Sequence, residues 1–170
     1  MKNKYLLHVL FIFTLLACKK DSTNNSTSTG NIQVYSELNV DGKQYGAAET
    51  LNSSDFNELL PDWIAANDES STDIFLNYKS PSDGNIYSGL TLSSSPKMKS
   101  GLNTNCYLNL AGSTTIGGDV NVTITKYGTK ENDIWEGTFS GNVTVIYSST
   151  LVRKDNVPCT GKFRVIAKWY

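Results

Sequence analysis

The sequence predicts an all-β domain, an antiparallel β-sandwich or barrel of about eight or nine strands with one short helical segment. Three observations favour this fold class. Apolar and polar residues alternate with a period of two in segment after segment, which is typical of strands with one buried face. Gly, Asn, Asp and Ser separate these segments, as expected for turns. Between the first two segments, Asp41-Gly42 predicts a two-residue hairpin.

Alternation defines the individual strands along the chain. Gln33 to Val40 leads into the hairpin, and Lys43 to Tyr45 returns from it. Ile74 to Tyr78 is followed by Ser80 to Gly84, a run of turn-forming residues. The later strands are predicted at Ile86 to Leu92, Cys106 to Leu110, Val120 to Thr125, Trp135 to Gly141 and Phe163 to Tyr170. Val143 to Tyr147 either continues the strand of Trp135 to Gly141 or pairs with it.

Large aromatic residues in the last strands indicate which face is buried. Trp135 and Phe139 fall on one side of their strand, and Phe163 and Trp169 fall on one side of theirs. Polar residues occupy the opposite side of the first of these strands. We therefore expect these four side chains to pack in the core.

One segment, Ser54 to Leu60, is a helical candidate. Its first residue is a serine, which suits an N-cap, and its apolar residues are spaced for one helix face. Pro61 is expected to end the helix, and Trp63 to Ala66 to resume a short turn.

The chain divides into a leader, a tether and one domain. Residues 1–17 have a basic start and a 12-residue apolar run from Tyr5 to Leu16. That run is shorter than the roughly 17–25 residues that a helix needs to span a bilayer. Residues 18–30 are rich in Ser, Thr and Asn and predict a flexible tether. Residues 31–170 are then expected to form a single β domain of ordinary size.

The end of the apolar run, Leu-Leu-Ala-Cys at Leu15 to Cys18, resembles the lipobox of bacterial lipoproteins. The resemblance implies cleavage before Cys18, a lipid on its sulfur and acylation of the new amino terminus. Two or more acyl chains hold a protein stably on a membrane. We therefore expect a lipid-anchored protein of the outer membrane. An ordinary cleaved signal peptide with a chance cysteine is the alternative.

The residues after Cys18 bear on which side of the membrane the domain faces. Lys19 to Asp21 is similar to the start of lipoproteins from Bacteroidota that are exported to the cell surface. The strongest form of that signal has more acidic residues, so the periplasmic face is the alternative. Asp21 to Thr23 also matches a short pattern that the same bacteria O-glycosylate, which makes Ser22 a candidate acceptor.

Cysteine and histidine usage limits the available chemistry. With Cys18 lipidated, Cys106 and Cys159 remain, and outside the cytoplasm we expect them to form a disulfide. Two buried free thiols are the alternative. The one histidine of the sequence, His8, lies in the leader. The mature chain therefore has no imidazole for nucleophilic catalysis or metal binding, and we expect no metal and no cofactor.

Charge and carboxylate spacing argue against several other functions. The chain has 15 Lys and Arg against 16 Asp and Glu, with no basic run, so a nucleic-acid partner is not expected. The acidic run at Asp68 to Asp73 lacks the ligand spacing of an EF-hand loop. Asp133 and Glu136 are three apart on a predicted strand and would point to opposite faces, unlike a glycosidase pair. We therefore predict a protein that is not an enzyme.

Three stretches together, Val40 to Lys43, Trp135 to Gly141 and Gly161 to Val165, are similar to small Bacteroidota lipoproteins with a β-rich domain of unknown function. The resemblance implies a fold and no activity. We expect a non-catalytic accessory module that binds a glycan or a protein. The alternatives are a carboxylate-based glycan-active enzyme and a structural component of an envelope complex. Trp63, which follows Pro61 in an irregular region, is the predicted exposed aromatic contact for a ligand.

Overall fold

The computed structural model describes residues 30–52 and 63–169, and these residues form nine β-strands and no helix. The predicted all-β class is confirmed. The strands are β1 (Ile32–Val40), β2 (Lys43–Leu51), β3 (Trp63–Asn67), β4 (Thr72–Lys79), β5 (Ile86–Ser94), β6 (Gly101–Leu110), β7 (Thr114–Lys126), β8 (Ile134–Tyr147) and β9 (Val152–Trp169). The predicted helical segment, Ser54 to Leu60, lies outside the described residues, as does the side chain of Trp169. In the described ranges, nothing forms a helix of the length and apolarity that a membrane crossing needs.

Seven of the strands close into a ring. From β3 to β8 each strand pairs antiparallel with the next, and β9 pairs with β8 on one edge and with β3 on the other. The β3–β9 pair is parallel, with Ile64 opposite Ile166, although the sequence predicted antiparallel pairing. β1 pairs with β9 beside β3, and β2 pairs with β1. The β1–β2 hairpin therefore extends the sheet outside the ring.

The β1–β2 hairpin has the predicted two-residue turn. Val40 pairs with Lys43, and the φ angles of Asp41 and Gly42 between them are 49° and 70°. A type I′ turn requires positive φ at both central residues, and Asp and Gly are among the residues that adopt it most readily. The turn fixes the register of β2, so that Tyr45 lies opposite Leu38 and both side chains are buried.

The interior of the ring is filled by the aromatic residues that alternation predicted to be buried. Trp135 and Phe163 are fully buried and Phe139 is 3% exposed. Each such side chain contributes roughly 1.5–3 kcal/mol relative to an exposed one. Gly137 leaves room for them, because a Cβ there would lie 2.7 Å from the ring of Phe163. The indole N–H of Trp135 donates a hydrogen bond to the carbonyl oxygen of Gly128 at 2.9 Å.

The type of one element differs from the sequence prediction. Trp63–Asn67 is a strand, not a short turn, because it pairs with β4 on one edge and with β9 on the other. Such pairing on both edges overrides local conformational preference. β8 runs unbroken over Ile134–Tyr147, so Val143 to Tyr147 continues the strand of Trp135 to Gly141, which is one of the two arrangements that the sequence left open.

The expected disulfide is not formed, since Cys106 and Cys159 are both buried free thiols. Cys106 lies opposite Val120, Val120 lies opposite Gly141, and Gly141 lies opposite Cys159. The two cysteines are three strands apart one way around the seven-stranded ring and four strands apart the other way, so they lie on opposite walls of the ring. A disulfide needs Cα atoms about 4.4–6.8 Å apart. Burial raises the pKa of both thiols, which keeps them protonated and unreactive.

Candidate functional site

Three tyrosines meet at one end of the ring, where β4, β6 and β8 end and β2 and β7 begin. They line a cavity of about 390 Å³, and ligand pockets typically measure about 300–1,000 Å³. We call this cavity the tyrosine pocket. It is defined by Lys43, Tyr45, Tyr78, Thr114, Tyr147 and Ser149. Three further serines, a proline and Leu110 complete its wall.

Strand positions explain how the three tyrosines come together. Tyr45 follows the hairpin turn on β2, Tyr78 is the last buried residue of β4, and Tyr147 ends β8. The rings of Tyr45 and Tyr78 have centroids 6.3 Å apart and planes inclined by 59°, a favourable tilted arrangement. A Cβ at Gly112 would lie 2.4 Å from the hydroxyl of Tyr78, so this glycine leaves space for that hydroxyl.

The hydroxyl of Tyr45 is buried without a partner. Tyr45 is 2% exposed, and its oxygen makes no hydrogen bond with the described residues. Burial raises the pKa of Tyr45, and the nearby Thr114 hydroxyl opposes that shift. Thr114 nevertheless falls outside hydrogen-bonding geometry, so the Tyr45 oxygen stays unpaired. Leaving a buried hydroxyl unpaired costs about 1–3 kcal/mol, which a ligand atom bonded to it would offset.

Asp41, at the hairpin turn, joins the hairpin to β8 and β9. Its carboxylate accepts a hydrogen bond from the Tyr147 hydroxyl, and the Lys154 ammonium contacts the same oxygen at 2.7 Å. The hydrogen bond from Lys154, followed by that from Tyr147, lowers the pKa of Asp41. The pKa of Tyr147 is raised by burial and by its bond to Asp41. Asp41 is thus ionised at neutral pH and is matched in charge by Lys154.

Lys43 provides the charge of the pocket wall. Its ammonium lies 4.2 Å from the centroid of the Tyr147 ring, within range of a cation–π interaction. Within the part of the chain that the structure describes, no carboxylate forms an ion pair with it. Because Asp41 is matched by Lys154, the pocket carries one unmatched positive charge.

A second concavity, of about 530 Å³, adjoins the tyrosine pocket and shares Ser80 and Pro81 with it. It is larger but more open, and it lies between the β1–β2 hairpin and the loop after β4. Its acidic residue, Glu37, is already paired with Lys162 at 2.9 Å. None of its described lining residues carries a buried polar atom without a partner. The tyrosine pocket is therefore the better candidate site.

Trp63 is not the exposed aromatic contact that the sequence predicted. It is 2% exposed, and its indole N–H donates a hydrogen bond to the Glu49 carboxylate at 2.8 Å. The reason is that Trp63 begins β3, a strand that is buried from Trp63 to Ala65, and its side chain packs in the core. The other predicted site residues, Cys18 and Ser22, lie outside the described residues.

The two carboxylates weighed as a glycosidase pair are engaged in local structure. Asp133 accepts hydrogen bonds from the backbone N–H groups of Thr129 and Lys130, each at 2.9 Å. Glu136 lies 3.5 Å from the guanidinium of Arg164. Within the described ranges, no group of three or more His, Cys, Asp or Glu residues is placed to hold a metal ion.

Sequence reasoning did not single out Tyr45, Tyr78 or Tyr147. One signal was available, because each of them lies at the end of an alternating segment beside turn-forming residues. Strand ends gather at the two ends of a ring, and side chains placed there can line a pocket. Which ends lie together depends on the strand order, and local patterns do not give that order.

Comparison with known proteins adds no relative. No family model, no curated protein and no solved structure matches this chain. Fold and pocket define the class of protein, an all-β chain with a tyrosine-lined pocket at one end of its ring of strands. The ligand has to be inferred from the chemistry of that pocket.

Proposed function

We propose that this chain is a non-catalytic binding module and that the tyrosine pocket holds part of a glycan. The buried, unpaired hydroxyl of Tyr45 carries this proposal. Nearly all buried polar groups in native proteins are hydrogen-bonded, so a buried group without a partner beside a cavity calls for a specific explanation. A ligand hydroxyl in the pocket supplies that reason, since it gives the tyrosine its missing partner.

The rest of the pocket wall suits a saccharide. Sugar rings present hydroxyl groups at their edges and apolar C–H groups on their faces. The hydroxyls of Thr114 and Ser149 can hydrogen-bond to the hydroxyl groups of a sugar, and the rings of Tyr78 and Tyr147 can pack against its C–H faces. A pocket of this size takes one end or one short stretch of a glycan. A protein ligand would instead need a buried area of about 800 Å² on each partner.

The hydroxyl of Tyr45 is covered in the free protein, with less than 1 Å² of its oxygen exposed. A ligand therefore has to displace a neighbouring side chain to reach it. Thr114 lies beside the hydroxyl and is only half-buried, so we propose that rotation of its side chain opens this contact. Binding then exchanges an unpaired hydroxyl for a hydrogen-bonded one.

A glycan-binding screen with the full chain tests this proposal. We expect saturable binding to at least one saccharide, weakened about tenfold by Tyr45→Phe because one buried hydrogen bond is lost. Tyr107→Phe is the matched control, since Tyr107 is 49% exposed and does not line the pocket. Equal binding by the wild type and Tyr45→Phe would refute the assignment of the site. Binding to no saccharide would refute the glycan.

We also propose that the domain is held on the outer membrane, at the cell surface, by a lipid on Cys18, as in Bacteroidota lipoproteins. The Leu-Leu-Ala-Cys end of the leader and the lysines after Cys18 support this address, and Ser22 is the proposed glycosylation site. Cys18→Ala should release the protein from membranes. Continued membrane attachment of that variant would refute the anchor. Protease added to intact cells distinguishes the cell surface from the periplasmic face.

We further propose that the domain is a barrel rather than a sandwich. Pairing of β9 with both β3 and β8 supports this, because the hydrogen bonding then runs without a break around the ring. In a sandwich, two separate sheets face each other across the core. The β1–β2 hairpin is an addition to the outside of this barrel.

A further inference from the structure

We infer that the glycan held in the tyrosine pocket is acidic, with an anionic group such as a sugar carboxylate or sulfate placed beside Lys43. This inference rests on the proposed glycan site and names the class of its ligand. Two features of the pocket carry it, the charge of the wall and the position of Lys43 relative to Tyr45.

The charge of the pocket is positive because of Lys43. Among the described residues that line the cavity it is the one that is ionised, and it has no ion pair with a described carboxylate. The nearest acidic group, Asp41, is held by Lys154 and by the Tyr147 hydroxyl. On the other side of the pocket, Asp83 accepts a hydrogen bond from the Tyr87 hydroxyl at 2.8 Å. That hydrogen bond leaves Asp83 ionised, but Asp83 does not line the cavity and Lys43 does, so the charged side chain in contact with a bound anion is the ammonium.

The acidic and basic side chains around the hairpin turn do not cancel this charge. Arg153 and Asp155, on the strand that follows the β8–β9 turn, pair with each other at 2.9 Å. Around the hairpin turn, two ammonium groups, those of Lys43 and Lys154, stand against the single carboxylate of Asp41. One positive charge is left over, and it belongs to the residue that lines the cavity.

The position of Lys43 fits a single sugar unit. Lys43 and Tyr45 are two residues apart on β2, so their side chains leave the strand on the same face, with Cα atoms about 7 Å apart. The contact with the Tyr147 ring holds the ammonium at the pocket while leaving N–H donors free for an anion. One acidic sugar then places its anionic group at Lys43 and a ring hydroxyl at Tyr45.

The test is a set of matched acidic and neutral saccharides, namely glucuronate and glucose oligomers, galacturonate and galactose oligomers, and a sulfated glycan with its desulfated form. Binding to the full chain is measured by titration calorimetry at low and high salt. We expect the acidic member of at least one pair to bind several-fold more tightly. That preference should fall with salt, since the charges are partly exposed.

Lys43→Gln separates this inference from the glycan site itself. We expect it to weaken binding of the acidic saccharide about fivefold more than binding of the neutral counterpart. Lys126→Gln is the matched control, because Lys126 is also exposed but lies at the far end of β7. Equal affinity for acidic and neutral members, with Tyr45→Phe still weakening both, would overturn the acidic ligand and keep the glycan site. Binding to none of the saccharides would overturn both.

Discussion

Replacing Tyr45 with phenylalanine removes one buried oxygen and leaves the aromatic ring in the core. The lost oxygen has no hydrogen-bond partner, so its removal takes away a penalty and no favourable bond. We expect Tyr45→Phe to raise the free energy of unfolding by about 1 kcal/mol, the lower part of the range for an unpaired buried hydroxyl. A substitution that weakens ligand binding should therefore stabilise the free protein.

Tyr147→Phe is the matched comparison, because it removes the same atom from the same pocket with the opposite expected sign. The Tyr147 hydroxyl donates to the Asp41 carboxylate, and hydrogen bonds to charged groups contribute about 1.5–3 kcal/mol when buried. Tyr147 is only half-buried, so we expect a loss of about 1 kcal/mol. In urea unfolding with a slope of about 2 kcal/mol/M, the midpoints shift by roughly +0.5 M for Tyr45→Phe and −0.5 M for Tyr147→Phe.

The two midpoints have to move in opposite directions. If Tyr45→Phe lowers the midpoint as Tyr147→Phe does, the Tyr45 hydroxyl is bonded in solution, either to Thr114 or to a buried water. The hydroxyl would then be an ordinary structural group, and the main reason to place a ligand in this pocket would disappear. Unchanged slopes confirm that the comparison is one of stability and not of a changed unfolded state.

Three further predictions concern the rest of the domain. Gly161→Ala should lower the free energy of unfolding in urea by about 2 kcal/mol, because its Cβ would lie 2.1 Å from an aromatic carbon and 2.2 Å from a backbone oxygen. Gly46→Ala is the control and should be nearly neutral, because the nearest atom to its Cβ would be 3.5 Å away. Unfolding without reductant should expose Cys106 and Cys159 to alkylation, and a mass two hydrogens lower with no label would contradict the free thiols. Backbone N–H groups of the following turn lower the pKa of Asp68 to about 2, whereas it is about 3.9 in the unfolded chain. The ionised Asp68 carboxylate therefore stabilises the folded protein above pH 4, and this contribution is lost as the pH falls through 2. Asp68→Asn should therefore show a smaller drop in melting temperature between pH 4 and pH 2, and an equal drop would contradict that role.

Patterns within one segment were enough to predict the fold class and the hairpin. Asp41-Gly42 could be identified because both residues of a type I′ turn need positive φ, a local requirement that few residues meet. The burial of Trp135 and Phe139 followed from alternation in the same way. In both cases the physical cause lies within a few residues of its effect.

Features that depend on distant pairing were not predicted correctly. In β3, Trp63 and Ile64 are both buried, so the segment shows no alternation and resembles a piece of helix or turn. Its pairing with β4 on one edge and its parallel pairing with β9, about a hundred residues later in the chain, on the other edge make it a strand. The prediction of a disulfide between Cys106 and Cys159 was wrong for the same reason. It rested on the number of cysteines and on the cellular compartment, and neither of these tells which strands the two cysteines occupy in the ring.

The β1–β2 hairpin is the element that turns the end of the ring into a site. The ring alone supplies Tyr78 and Tyr147, whose hydroxyls both have partners. The hairpin adds Asp41, which orients Tyr147, and then Lys43 and Tyr45, which are the unmatched charge and the unpaired hydroxyl. The described strands of the ring are bonded on both edges, whereas β2 is bonded on the edge toward β1. Because β2 is not needed to close the ring, the pairing that closes the ring does not restrict its residues, and they can be assigned to a ligand.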